Sequence, residues 1–313
     1  GRASFAHCTS LKQITIPSSV TKIDDFVFKH CTSLKNISIP SSVTSIGINS
    51  FYECTSLEQI TIPPSVTKID DFVFRHCTSL KNISIPSSVT SIGKGAFYEC
   101  TSLEQITIPP SVTKIEKGTF AICTSLKNII IPSSVTSIGT HLFFKCTSLE
   151  EVSISSSLTE IGRATFAYCT SLKQITIPSS VTTIGECAFS DCTKLNNVYI
   201  PSSIKEIKEH AFQNCKSLKN ITIPSLVTKT GKGLFFRCTK LVNIYIPSSL
   251  NQINNCMFIY CRSIAEITIP SSITQIGKSA FFKCDSLLQV FIPSSVTLID
   301  ECAFAFCSRL KKI

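Results

Sequence analysis

Hydrophobic positions in this chain recur with a period of 23 residues. In the stretch from Cys77 to Glu99, CTSLKNISIPSSVTSIGKGAFYE, the apolar places are Cys77, Leu80, Ile83, Ile85, Val89, Ile92 and Phe97, and the same sentence restarts at Cys100. Ile83 and Ile85, two apart, have the spacing of side chains on one face of a strand. Pro86 closes that strand, because it offers no ladder donor and fixes its own φ. Val89 to Ile92 reads as a second short extended piece. Gly93 is expected to make the next turn, where a residue without Cβ takes positive φ. Phe97, Cys100 and Leu103 follow at three-residue spacing, which predicts a helical turn.

The cysteine recurs without a slip from Cys8 to Cys307, and thirteen full units plus 14 residues account for all 313. A fixed period in this range marks a solenoid, in which each unit contacts only its neighbours. The predicted fold is an α/β-like repeat solenoid. It is a curved stack of about 13 coils with a parallel β-sheet on its concave face, strands ~4.8 Å apart, and short strands and helical turns elsewhere. Residues 1–313 read as one solenoid. Gly1 and Ile313 each fall inside a unit with no polar cap legible, so the chain is expected to be a piece of a longer array lacking both caps. Early units are near copies at twice the period: Cys31–Glu53 and Cys77–Glu99 differ only at Ile48, Asn49 and Ser50. Later units diverge. Ser155 replaces the strand-closing proline and Thr230 an inward isoleucine, so a kink or altered curvature is expected near either. Thr230 should carry a hydroxyl into the core at a cost of ~1–3 kcal/mol unless it finds a partner.

Composition changes this picture little. No run approaches the ~18 apolar residues of a membrane span. The formal charge is +10, but the lysines are scattered over several repeat positions. Lys12, Lys35, Lys81, Lys127 and Lys173 share a column that Glu58, Glu104 and Glu150 interrupt, which reads as a solvated mixed-charge edge; weak attraction to acidic glycans or phospholipid is the alternative, less favoured reading of that column. A nucleic-acid footprint requires clustering on one face, so no nucleic-acid partner is expected.

Of 17 cysteines, 14 stand at the repeat position. Stacked at strand spacing they fall within disulfide reach, yet they alternate with Leu and Phe in an inward pattern, where a free thiol acts as a small apolar filler. Buried free thiols are the favoured reading. Cys187, Cys256 and Cys302 share a turn position two or three units apart, too far to bridge. No zinc-type spacing occurs. His7, His30 and His76 each precede a ladder cysteine and are expected to face solvent, with no metal site. The Ser and Thr residues recur as structure, and no nucleophile motif is present, so no catalytic residues and no cofactor are expected.

Binding would use the outward strand positions. One column carries amides, among them Asn197, Asn220, Asn243 and Gln289, which could equally hydrogen-bond along the array. The other is mostly Thr and Ser until Tyr199, Tyr245 and Phe291 appear at every second unit, about 10 Å apart, with Val242 and Leu288 beside them. Exposed aromatics among neutral amides match the centre of a protein interface; the alternative is that Tyr and Phe simply favour strands. Asn36, Asn82 and Asn220 lie in N-x-S/T sequons.

The pattern LxxIxIPxxVxxIgxxAFxxC resembles the BspA-like leucine-rich repeats over essentially the whole chain. It departs from ordinary leucine-rich repeats, which carry Asn or Cys after the strand where Ser88 stands here. The resemblance implies a non-enzymatic recognition module, displayed at the cell surface and binding host matrix or other cell-surface proteins. The alternative is an intracellular, cytoplasmic scaffold or regulatory protein. A passive spacer is a third class.

Overall fold

The computed structural model describes residues 1–155 and 157–313, which group into two compact units, Gly1–Leu158 and Thr159–Ile313. Each unit is a parallel β-solenoid. In the first, the strands Gln13–Thr15, Asn36–Ser38, Gln59–Thr61, Asn82–Ser84 and Gln105–Thr107 form one sheet, and Asn128–Ile131 pairs with Glu151–Ile154. Register is strict: Ile14 faces Ile37, and Ile83 faces Ile106. The strand residues follow an exposed–buried–exposed pattern, as period-two alternation requires. The second extended piece also pairs, Lys68–Ile69 with Ser91–Ile92 and onward to Ser137–Ile138.

The expected helical turn is absent: no helix occurs among the described residues. Instead two places per coil take left-handed backbone, at φ 57 for Phe72 and 60 for His76 and at equivalent residues throughout. Such backbone costs a non-glycine residue about 1–2 kcal/mol. It is held by a third ladder between coils: the N–H groups of Phe72, Phe74 and His76 donate to the carbonyls of Lys94, Ala96 and Tyr98, each at 2.8 Å. Three-residue spacing of Phe97, Cys100 and Leu103 therefore records an inward bend, not a helix. Gly93 also differs from expectation. Its φ is not positive; a Cβ there would lie 2.6 Å from the Asp70 carbonyl carbon and 2.7 Å from the Asp71 nitrogen of the preceding coil. The glycine is needed for close approach of coils.

The core consists of rows. Phe28, Phe51, Phe74, Phe97, Phe120 and Phe143 in the first unit, and their six counterparts in the second, are fully buried. Within each unit these rings stack at centroid separations such as 5.4 Å for Phe74 on Phe97 and 5.3 Å for Phe189 on Phe212. The recurrent hydroxyls join successive coils: Ser88 Oγ donates to the Val66 carbonyl at 2.6 Å, and Thr78 Oγ1 to the Thr55 carbonyl at 3.3 Å.

The cysteines between Cys31 and Cys284 that hold the ladder position are buried free thiols. Their thiols donate to carbonyls of an earlier coil: Cys77 to the Phe51 carbonyl at 3.2 Å, and Cys100 to that of Phe74 at 3.1 Å. Burial pushes the Cys31 thiol up to about 11 and Cys77 well above its ordinary value. The thiolate is the reactive form. A maleimide at neutral pH should therefore modify Cys8 and Cys302, which are exposed, and spare the ladder until denaturant is added. Mass spectrometry that finds Cys77 or Cys100 modified in the native protein would refute the inward row.

The two irregular positions are accommodated locally. Ser155 supplies an N–H that proline lacks, and it donates to the Ile131 carbonyl at 3.2 Å beyond the end of the strand Glu151–Ile154. Thr230 keeps its register opposite Ile207. Its hydroxyl and its carbonyl both accept from Asn254 Nδ2, at 2.7 Å each. At the equivalent Ile207 and Ile253, a backbone N–H donates to that carbonyl. The short-strand ladder is interrupted there, ending at Lys229–Thr230 and restarting at Gln252–Ile253.

Candidate functional site

In the second unit the main strands pair two by two: Gln174–Thr176 with Asn197–Tyr199, Asn220–Thr222 with Asn243–Tyr245, and Glu266–Thr268 with Gln289–Phe291. The sheet expected to be continuous is thus divided. Each aromatic of the outward column occupies the second strand of a pair, and each faces a threonine in register: Thr176 and Tyr199, Thr222 and Tyr245, Thr268 and Phe291. Alternation with inward Ile200, Ile246 and Val290 turns the rings outward. Tyr199, Tyr245 and Phe291 are 67%, 57% and 68% exposed.

Rings alternating with threonines leave troughs. One, of about 500 Å³, is lined by Asn220, Thr222, Val242, Asn243, Tyr245 and Thr268, among others. The next, of about 450 Å³, lies between Tyr199 and the strand Asn220–Thr222. Asn220 and Thr222 belong to both. Asn243 Nδ2 donates to Asn220 Oδ1 at 2.7 Å, so these two amides are linked along the array and also bound the groove. Asn197 and Gln289 are exposed at the starts of their strands, outside the lining of either trough. Val242 is exposed and widens the apolar rim, while Leu288 is half-buried. Glu266 brings the one carboxylate into the lining of the larger trough.

Corresponding troughs in the first unit are lined by Gln13, Asn36, Gln59, Thr15, Ser38 and Thr61 over inward isoleucines, with no outward ring. One residue breaks that pattern. Ile130, in the same outward column, is 66% exposed on the strand Asn128–Ile131. Its signal was present in the sequence as an unbroken Ile129-Ile130-Ile131 run, in which alternation must send the central residue outward.

Histidines do not gather into a metal site; among the described residues no group of three His, Cys, Asp or Glu side chains could hold a metal ion. His7 stacks on His30 at 4.5 Å, and His30 Nδ1 lies 2.7 Å from a Glu53 carboxylate oxygen. Burial lowers the His30 pKa, with Glu53 opposing.

The parallel in-register coils, the proline-closed strands and the outward face beside an inward Leu/Ile/Phe row define a leucine-rich-repeat solenoid. The chain belongs to the BspA type leucine-rich repeat family, whose six-copy region matches residues 1–127, 114–242 and 182–311. A leucine-rich repeat protein from Bacteroides ovatus is similar over 96% of this chain and 86% of its own, at 30% identity and a TM-score of 0.81. A leucine rich cell surface protein from Faecalibacterium prausnitzii aligns over 96% and 87%, at 30% identity and 0.57. A leucine-rich repeat protein from Eubacterium ventriosum aligns over 96% and 78%, at 26% and 0.56. No curated protein sequence matches the chain. Among the described residues no helix is long and apolar enough to cross a membrane.

Proposed function

We propose that the chain is a non-catalytic recognition module that binds a protein partner through the aromatic-lined strand face of residues 159–313. One observation carries this reading: Tyr199, Tyr245 and Phe291 stand outward at every second coil, mostly exposed, and the two tyrosines border open troughs lined by amides and hydroxyls over inward isoleucines. Large rings with few rotatable bonds, set among neutral hydrogen-bonding groups, are the chemistry on which protein interfaces concentrate their binding energy. The troughs are shallow and open, which suits an extended segment or a flat surface. A non-catalytic role is supported by the repeated hydroxyls, which are committed to carbonyls of the preceding coil.

Display at the cell surface, as adhesion to host matrix or cell-surface proteins, is the finer form of the proposal. It draws support from the similarity to the Faecalibacterium protein, which is described as a cell surface protein. The test is binding of the purified chain to surfaces coated with extracellular-matrix proteins and to intact cells. Tyr199→Ala with Tyr245→Ala should weaken binding at least about 10-fold, about 1.4 kcal/mol, with no change in thermal midpoint, because both side chains are outside the core. Unchanged binding with the fold intact would remove this face from consideration.

A further inference from the structure

The two units differ in charge. Residues 1–158 carry thirteen basic and eleven acidic side chains, and residues 159–313 carry seventeen and nine. The excess has a location. After the ladder cysteine, the first eight coils all read Thr-Ser. From Cys192 onward, five of six coils place a cation there instead: Lys194, Lys216, Lys240, Arg262 and Arg309, all exposed. The cations alternate between the first and second places after the cysteine, one on each of the four successive coils that begin at Cys192, Cys215, Cys238 and Cys261; the coil of Cys284 carries Asp285 instead, and Arg309 follows on the last.

The column just before the cysteine adds Arg237 and Lys283. Both sit over the ring of Tyr260, at 5.5 and 5.6 Å from its centroid, and Arg262 sits over the same ring at 5.3 Å. Three cations from three successive coils thus gather at one aromatic. A single carboxylate, Asp285, answers them, 3.2 Å from Arg262 Nε. Uncompensated like charges held this close lower their mutual repulsion by taking up anions.

We infer that this edge is a binding site for a linear polyanion, specifically a sulfated polysaccharide chain of the glycosaminoglycan type. Charge complementarity assigns the polyanion: a run of exposed cations, one per coil over four successive coils, matches a chain that carries a sulfate or carboxylate on each unit. Ring geometry chooses polysaccharide over single-stranded nucleic acid. Nucleic-acid grooves need open ring faces on which bases stack, whereas here the protein's own cations lie over the rings. Arg237 lies 5.2 Å from the Phe236 centroid, and Lys283 lies 5.9 and 5.4 Å from those of Phe282 and Phe306. The edge is separate from the aromatic troughs of the strand face, so its loss and theirs are distinguishable.

The experiment measures binding of the whole chain to size-defined heparin fragments, to the same fragments after desulfation, and to a single-stranded oligothymidylate. Two variants with equal charge change are compared. K194S/K216T/K240S restores residues that the chain itself uses at these positions. K205T/K208N/K229S removes three lysines elsewhere on the same unit, again using residues found at those columns. Heparin affinity at 150 mM salt should fall at least 10-fold in the first variant and less than 3-fold in the second, with desulfated fragments binding weakly throughout. Y199A/Y245A should leave heparin binding unchanged. Equal losses in the two triple variants would reduce the effect to net charge and overturn the site, as would undiminished binding in the first. Oligothymidylate bound as tightly as heparin and lost in the first variant would overturn the choice of polysaccharide.

Discussion

Truncating Phe74 to alanine should lower the unfolding free energy by about 3–5 kcal/mol. The ring is fully buried and stacks on Phe51 at 5.6 Å and on Phe97 at 5.4 Å, so its removal leaves a cavity that fixed neighbours on both sides cannot close. In a solenoid, stability is approximately a sum of intrinsic coil terms and nearest-neighbour interfaces. Losing Phe74 weakens two such interfaces. Phe5→Ala provides the comparison. That ring is 40% exposed and stacks on Phe28 alone, at 5.6 Å, so the same substitution should cost less than half as much. Urea unfolding followed by circular dichroism measures both. Equal costs would mean that the aromatic row does not couple the coils.

Gly139→Ala should be nearly as damaging, at about 3 kcal/mol. A Cβ built at Gly139 lies 2.1 Å from the Lys117 nitrogen and 2.4 Å from its Cα. Both atoms are backbone of the preceding coil, and that coil cannot move without breaking its ladders. Gly118→Ala isolates the other effect of glycine. Its φ is +62, yet the nearest atom to a built Cβ is Ala121 Cβ at 3.9 Å, so only the left-handed backbone is penalised, at about 1 kcal/mol. Thermal midpoints should therefore fall clearly further for Gly139→Ala than for Gly118→Ala. The reverse order would show that conformation, and not contact between coils, sets the glycine column. Gly47, Gly93, Gly139, Gly185, Gly231 and Gly277 recur at every second coil, and Gly162 stands in the same column on an intervening one.

Much of the candidate binding face was legible before any coordinates. Tyr199, Tyr245 and Phe291 could be placed outward because they alternate with inward residues in a strand two or three residues long, and period-two geometry leaves no other choice. The troughs between them were not legible. Which side chains meet in them depends on how successive coils seat, and comparable troughs lie over the continuous sheet of the first unit. The cations around Tyr260 were hidden for a similar reason. Arg237, Arg262 and Lys283 look scattered along the chain and meet only when coils stack.

The sequence by itself determined the 23-residue coil, the in-register rows of inward Cys, Leu, Ile and Phe and the outward columns, because each follows from side-chain alternation repeated at constant spacing. Only the tertiary structure decided the backbone between Gly93 and Leu103 and its equivalents. Local spacing there favoured a helical turn, but three hydrogen bonds to the neighbouring coil and close packing against it hold two residues per unit left-handed, whether the residue is Phe72, His76, Cys256 or Tyr260. The same holds for Thr230, whose half-buried hydroxyl is satisfied by Asn254 from the next coil. Contacts between residues 22 to 26 apart settle these points, and no window of local sequence contains them.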